Sequence, residues 1–144
     1  MEYLNTVITG TGCYIPEQKI ENKDYFKSTF FEKDQTLIKG SGEDIVRKFR
    51  DITGILERRW ATKDQTTSEI ATFAAERAIK TGNIDRETID HIIVANNFGD
   101  VMKGTIQTDL LPSIAARVKN KLGIENPECV AYDIVLVVPD GFRE

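Results

Sequence analysis

The sequence predicts an α/β protein built on a parallel sheet, and three observations carry that prediction. "HIIVANN" (91–97) is a strand-length apolar run with little alternation, the pattern of a strand covered on both faces, and "CVAYDIVLVV" (129–138) reads as the last strand. A long amphipathic segment, "TTSEIATFAAERAIKTG", precedes the first of them, and "LLPSIAARVKNKLG" lies between the two. Strands alternating with helices in this way form βαβ units.

Taken in order, "TVITGTGCYIP" reads as a buried strand from Thr6 to Thr9 that ends in a glycine-rich turn. "ENKDYFKSTFF" begins a helix at Asn22, and "DQTLIKGSGED" is an exposed loop. "EDIVRKFRDIT" is helical, with Ile45, Phe49 and Ile52 on one stripe and Gly54 as its C-cap. In the next helix Thr66 and Glu69 form a capping box, so that each side chain answers the other's backbone N–H. Ile70, Phe73, Ala74, Arg77 and Ala78 supply its mostly apolar face, and Gly82 stops it. After strand "HIIVANN" comes the long loop "FGDVMKGTIQTD", then a helix through "LLPSIAARVKNKLG" that tolerates Pro112 only in its first turn.

A chain of 144 residues suits one domain and can bury a core. Its 40% hydrophobic and 29% charged residues are ordinary for a soluble protein, and a net charge of −4 argues against a dedicated nucleic-acid binder. No apolar run approaches the ~20 residues of a membrane span. The N-terminus "MEYLNTVITG" lacks the basic and apolar regions of a secretory signal, so the expected location is the cytoplasm. Cys13 and Cys129 form no CxxC motif and His91 is the single histidine, so a metal site is not expected and both cysteines read as reduced thiols.

The chemical signals are sparse. Gly10 and Gly12 follow a strand-like run as in a phosphate cradle, but the third glycine of the dinucleotide pattern is replaced by Ile15, with Pro16 behind it. That mismatch favours a structural turn. His91 reads as a helix-to-strand capping residue rather than a base. "VRKFR" and "ERRW" read as solvated basic faces with a local ion pair between Glu57 and an arginine. Asp133 is more informative, because a carboxylate on an apolar strand needs partners and often stands beside a functional turn.

"VITGTGCYIPEQKIEN", "TGILERRWAT", "TSEIATFAAERAIKTG", "IDHIIVANN", "LPSIAARVKNKLGI" and "CVAYDI" occur in that order, from about residue 6 to Ile134. Together they resemble the N-terminal half of a β-ketoacyl-acyl carrier protein synthase III, a condensing enzyme of the thiolase fold. The resemblance implies an incomplete N-terminal half of a layered αβαβα architecture, in a family of usually homodimeric acyltransferases of fatty acid and related lipid or polyketide biosynthesis. It implies acyl-CoA and malonyl-acyl carrier protein as substrates, the carrier protein as partner, and no bound cofactor. It also implies a cysteine nucleophile at the tip of a buried helix, where the dipole favours thiolate and N–H groups hold an oxyanion. A histidine and an asparagine from the C-terminal half complete such a site.

The family nucleophile follows an "AYDI"-like strand, and the matching position here, the fifth residue after Asp133, is Val138. Valine cannot act as a nucleophile, so no catalytic residue is expected in this chain. One set of synonymous codons for "LVVPDGFRE" (Leu136–Glu144), read with a single added base in front, translates as "FGCPGWIQG", a typical family continuation with cysteine where Val138 stands. The expected organisation is therefore a partial N-terminal thiolase-like domain over residues 1–135 and an out-of-frame tail over 136–144. The polypeptide alone is expected to be inactive, marginally stable and prone to associate.

Further implications concern substrate. The family tryptophan and arginine that hold the CoA adenine match Lys48 and Ile52, which supply neither stacking nor the same charge. Leu111, just ahead of "PS", matches a residue that crosses the dimer to line the partner's acyl pocket. Two other classes of function compete with this one: a non-catalytic thiolase-like binding or dimerisation module, and an unrelated α/β domain with "GTG" near a phosphate.

Overall fold

The computed structural model describes residues 5–135, which belong to two compact units. One comprises Ile15–Thr62; the other joins the N-terminal segment to the chain from Lys63 onward.

In the Ile15–Thr62 unit, β1 (Gln18–Glu21) pairs antiparallel with β2 (Glu57–Trp60), Gln18 facing Trp60 and Glu21 facing Glu57. The helix expected at Asn22 is a single 3-10 turn, Asn22–Tyr25. Its first residue is tied to the chain ahead of β2, the Asn22 backbone N–H donating to the Leu56 carbonyl and its Nδ2 to the Ile55 carbonyl at 2.8 Å. Helix α1 (Gly42–Thr53) starts where the Ser41 hydroxyl accepts the Asp44 N–H at 3.1 Å and ends at Gly54, whose φ of 69° is left-handed. Its buried residues are Ile45 and Val46, and Phe49 meets the Phe30 ring edge-on at 5.8 Å. Ile52 does not continue the expected stripe; it is 80% exposed. Phe49 and Thr53, more exposed than Ile45 and Val46, line a cavity beside Val46.

In the other unit, α2 (Thr67–Gly82) has the expected capping box, with the Glu69 carboxylate accepting the Thr66 N–H at 2.8 Å and the Thr66 hydroxyl accepting the Glu69 N–H at 3.3 Å. The left-handed residue that ends it is Asn83 (φ 49°), one position beyond the expected Gly82. β3 (His91–Asn96) and β6 (Val130–Val135) lie parallel, His91 facing Val130 and Asn96 facing Val135. Between them in sequence come β4 (Asp100–Val101) and β5 (Thr108–Asp109), a short antiparallel hairpin within the expected loop, and then α3 (Ile114–Leu122). Parallel strands need such a crossover.

The core lies under α3. Ile114, Val118, Leu122, Ile124 and Cys129 are buried, with Ala71, Ala75 and Ile79 of α2 and Ile92 and Val94 of β3 packed on them. Burial therefore alternates along β3, and the other face of the strand pair stays open, with Ile93 52% and Ile134 47% exposed. The unalternating sequence led us to expect cover on both faces; among the described residues only α2 and α3 supply cover, and they sit on one side.

Two further expectations fail. Pro112 lies before α3, not in its first turn, because Ser113 is the N-cap, its hydroxyl accepting the Ala116 N–H at 3.1 Å. Thr6–Thr9 joins no strand, and Val7 and Ile8 are 74% and 86% exposed. The segment runs along α2 instead. Thr81 Oγ1 donates to the Thr11 carbonyl at 2.5 Å, Arg77 Nη1 donates to the Cys13 carbonyl at 2.6 Å, and the Tyr14 ring sits 4.9 Å from that of Phe73. The α2 face expected to be apolar, Phe73 to Ala78, is thus the seat of this segment, while Ser68, Ala71, Thr72, Ala75 and Ile79 face the core.

Candidate functional site

The carboxyl ends of parallel strands are where open α/β sheets usually keep their chemistry. Here Asn96 closes β3, Asp133 lies on β6, and the N-terminus of α3 points at both. One Asp133 oxygen, Oδ2, accepts the Ile114 N–H at 2.8 Å and Asn96 Nδ2–H at 3.1 Å, and the other accepts the Ala115 N–H at 2.8 Å. Asn96 Oδ1 in turn accepts the Gly99 N–H at 2.7 Å, which fixes the start of the loop after β3. A helix N-terminus presents unpaired donors and a positive dipole end, and Asp133 answers both. With both oxygens engaged, Asp133 anchors α3 to the sheet.

Beside this junction a second carboxylate is nearly enclosed. Asp100 is 3% exposed; its Oδ1 accepts the Ser68 N–H at 3.0 Å and its Oδ2 faces Arg117 Nη1 at 3.4 Å. Arg117 Nη2 also donates to Asp109 Oδ2 at 2.7 Å, and the guanidinium holds the Asp109 carboxyl below its usual range, helped by the Leu111 N–H. Neither Asp100 nor Arg117 stood out in the sequence, since a loop aspartate and a helical arginine are common and the hairpin that joins them was not foreseen.

The sequence-derived positions are dispersed. Lys48 and Ile52, four residues apart on α1, share an exposed face of the Ile15–Thr62 unit. Leu111 follows β5 in the other unit and is 82% exposed. Val138 lies outside the described residues. His91 does not cap a helix: the preceding 3-10 turn, Arg86–Thr88, ends at Ile89, and His91 is the exposed first residue of β3, its ring 6.5 Å from that of Tyr132. Glu57 pairs chiefly with Lys19 at 2.6 Å, and the expected arginine partner, Arg59, stands at 3.7 Å.

Gly10 and Gly12 form no phosphate cradle, and they form no regular turn either; they lie in irregular chain packed on α2. A Cβ on Gly12 would overlap the Ala74 carbonyl and the Ala78 nitrogen, so the glycines serve close packing of backbone on α2. Cys13 and Cys129 are both free, one exposed and one buried. No group of His, Cys, Asp and Glu among the described residues could hold a metal ion, and no described helix is long and apolar enough to cross a membrane.

Known proteins bear on this geometry. No family model matches the chain. β-Ketoacyl-[acyl-carrier-protein] synthase III 1 of Vibrio parahaemolyticus is 39% identical over 127 residues, which is 88% of this chain and 33% of that protein. The chain resembles β-ketoacyl-acyl carrier protein synthase III over most of its length. The synthase III of Fusobacterium nucleatum is likewise 39% identical over 122 residues, covering 85% of this chain and 31% of that protein. Among solved structures, the 3-oxoacyl-[acyl-carrier-protein] synthase III of Aquifex aeolicus superposes with a TM-score of 0.64 at 28% identity, over 90% of this chain and 34% of that one. The priming β-ketosynthase of the R1128 polyketide pathway shares the fold alone, with a TM-score of 0.66 at 22% identity. The fold is accordingly the thiolase-like α/β fold of synthase III proteins, and the chain spans about a third of the length of the curated relatives it matches.

Proposed function

We propose that this chain is the N-terminal portion of a synthase III-like acyltransferase, which when intact condenses an acyl-CoA starter with malonyl-acyl carrier protein in fatty acid or related lipid or polyketide biosynthesis. The observation that carries this reading is the identity of 38–39% with synthase III proteins, which extends over 88% of the chain. In the reaction, a cysteine thiolate attacks the acyl thioester and expels the CoA thiolate, which takes up a proton from solvent. The malonyl group then loses carbon dioxide, and the resulting carbanion attacks the acyl-enzyme and returns the cysteine.

In this reading residues 1–135 form part of the N-terminal thiolase-like domain and 136–144 are out of frame, with Val138 in the nucleophile's place. Lys48 and Ile52 stand at the CoA positions but supply different contacts, so CoA is held differently or the donor is another thioester. Leu111 lines an acyl pocket across a homodimer interface. The intact enzyme works in the cytoplasm with acyl carrier protein as its partner, and the polypeptide of 144 residues is inactive by itself.

Incubation with acyl-CoA followed by intact mass measurement tests the proposal. The frame-restored protein gains one acyl group and forms β-ketoacyl-carrier protein when malonyl-carrier protein is added, whereas the present chain gains nothing. A frame-restored protein that is never acylated, or a present chain that copurifies stoichiometrically with an intact synthase, would instead support a non-catalytic dimerisation module.

A further inference from the structure

The backbone around Leu111 is held by a single guanidinium. Arg117, in the first half of α3, donates from Nε to the Pro112 carbonyl at 2.9 Å and from Nη2 to the Leu111 carbonyl at 3.0 Å. The same Nη2 reaches Asp109 Oδ2 at 2.7 Å, and Asp109 Oδ1 accepts the Leu111 N–H at 3.2 Å. The arrangement is tied inward through Asp100, buried and bonded to the first turn of α2 at Ser68. Both backbone polar groups of Leu111 are thus taken by charged side chains.

Surface loops ordinarily leave such groups to water. Charge-assisted bonds from a planar fork fix geometry as well as strength, and a lysine ammonium cannot reproduce the fork. Yet the side chain at the centre, Leu111, is itself 82% exposed, so the network does not serve to bury it. It presents an apolar side chain outward on a fixed backbone.

We propose that Arg117 is a positioning residue that sets the place of Leu111 and, through it, the size of acyl group the enzyme accepts. The consequence for acyl size rests on the acyl-pocket reading of Leu111 given above; the positioning itself does not.

The test uses the full chain with Cys13→Ser, carrying a nitroxide on Leu111→Cys, Cys129 being buried. Its electron paramagnetic resonance spectrum is expected to show slow, ordered motion, with a shift to fast motion in Arg117→Gln. Arg117→Lys is expected to fail to restore the ordered spectrum, while a label at exposed Lys80 on α2 stays unchanged. An unchanged Leu111 spectrum in a folded Arg117→Gln chain overturns the proposal. Should Arg117→Gln not fold, the charge-preserving Arg117→Lys decides it, an ordered Leu111 spectrum in that variant overturning the proposal.

Acyl selectivity in the frame-restored enzyme separates this inference from the reading beneath it. Leu111→Ala and Arg117→Gln should each change the ratio of kcat/KM for acetyl-CoA and longer acyl-CoA by about tenfold, the scale of a misplaced methylene contact. A shift with Leu111→Ala alone refutes the role of Arg117. No shift with Leu111→Ala refutes the acyl-pocket reading, whatever the spectra show.

Discussion

The Asp133 carboxylate takes the Ile114 backbone N–H at 2.8 Å, so the β6 strand carries the N-terminal anchor of the helix that precedes it in the chain. Removing that anchor strands two helix donors beside a half-buried sheet. Asp133→Ala should cost about 2–3 kcal/mol, the range for bonds to a charged acceptor together with the donors left unpaired. Asp133→Asn should cost less, because one oxygen still accepts. Urea unfolding followed by circular dichroism reads both, and an Asp133→Ala midpoint equal to that of the parent would contradict the anchoring role.

The start of α2 gives a pH signature. The Thr66 N–H, and then Lys103, hold the folded Glu69 carboxyl below its ordinary value against some desolvation. Because the folded value is the lower one, the stabilisation is complete above the unfolded value near pH ~4.3 and is lost as the pH falls through the folded value. Glu69→Gln should therefore flatten the acid side of the stability profile in that window and leave its neutral side sloped as before. Thr66→Ala removes the reciprocal bond and should cost about 1 kcal/mol at neutral pH.

Glycine at position 12 is required by the close approach of the N-terminal segment to α2. Gly12→Ala should push residues 5–14 away from the helix without unfolding the core beneath α3, since that core lies on the opposite face of α2. Hydrogen exchange should accelerate selectively in residues 5–14. Uniform acceleration throughout the chain would show instead that the segment is part of the core.

The open face of β3 and β6 carries Ile93, Tyr132 and Ile134, each more than 40% exposed. Apolar surface of this kind promotes association. The chain is expected to elute as concentration-dependent oligomers and to bind an apolar dye, and Ile93→Lys with Ile134→Lys to reduce both. A compact monomer with a cooperative thermal transition and no dye binding would count against this expectation.

Much of both units was legible in the sequence where the signals are local. The Thr66–Glu69 box, the cap at Gly54 and the apolar strand runs each depend on residues a few positions apart. What failed depended on distant partners. Thr6–Thr9 has the composition of a strand, but α2 holds its neighbouring glycines, and no described strand pairs with it. β3 reads as covered on both faces, although helices lie on one. Asp133 was identified as needing partners, while their identity as the Ile114 and Ala115 N–H groups follows from the crossover geometry. Arg117 was missed for a similar reason: its partners, Asp100 and Asp109, are brought to it by a hairpin too short to announce itself.

The central claim, that this is the front of a condensing enzyme whose last residues are read out of frame, is most directly tested in the DNA. We would determine the nucleotide sequence from codon 130 through several hundred bases beyond codon 144. The account predicts a missing base within codons 135–136 and, in the restored frame, a cysteine at the Val138 position followed by an open frame carrying the histidine and asparagine motifs. An intact frame that ends after Glu144, with nothing related downstream, would contradict it.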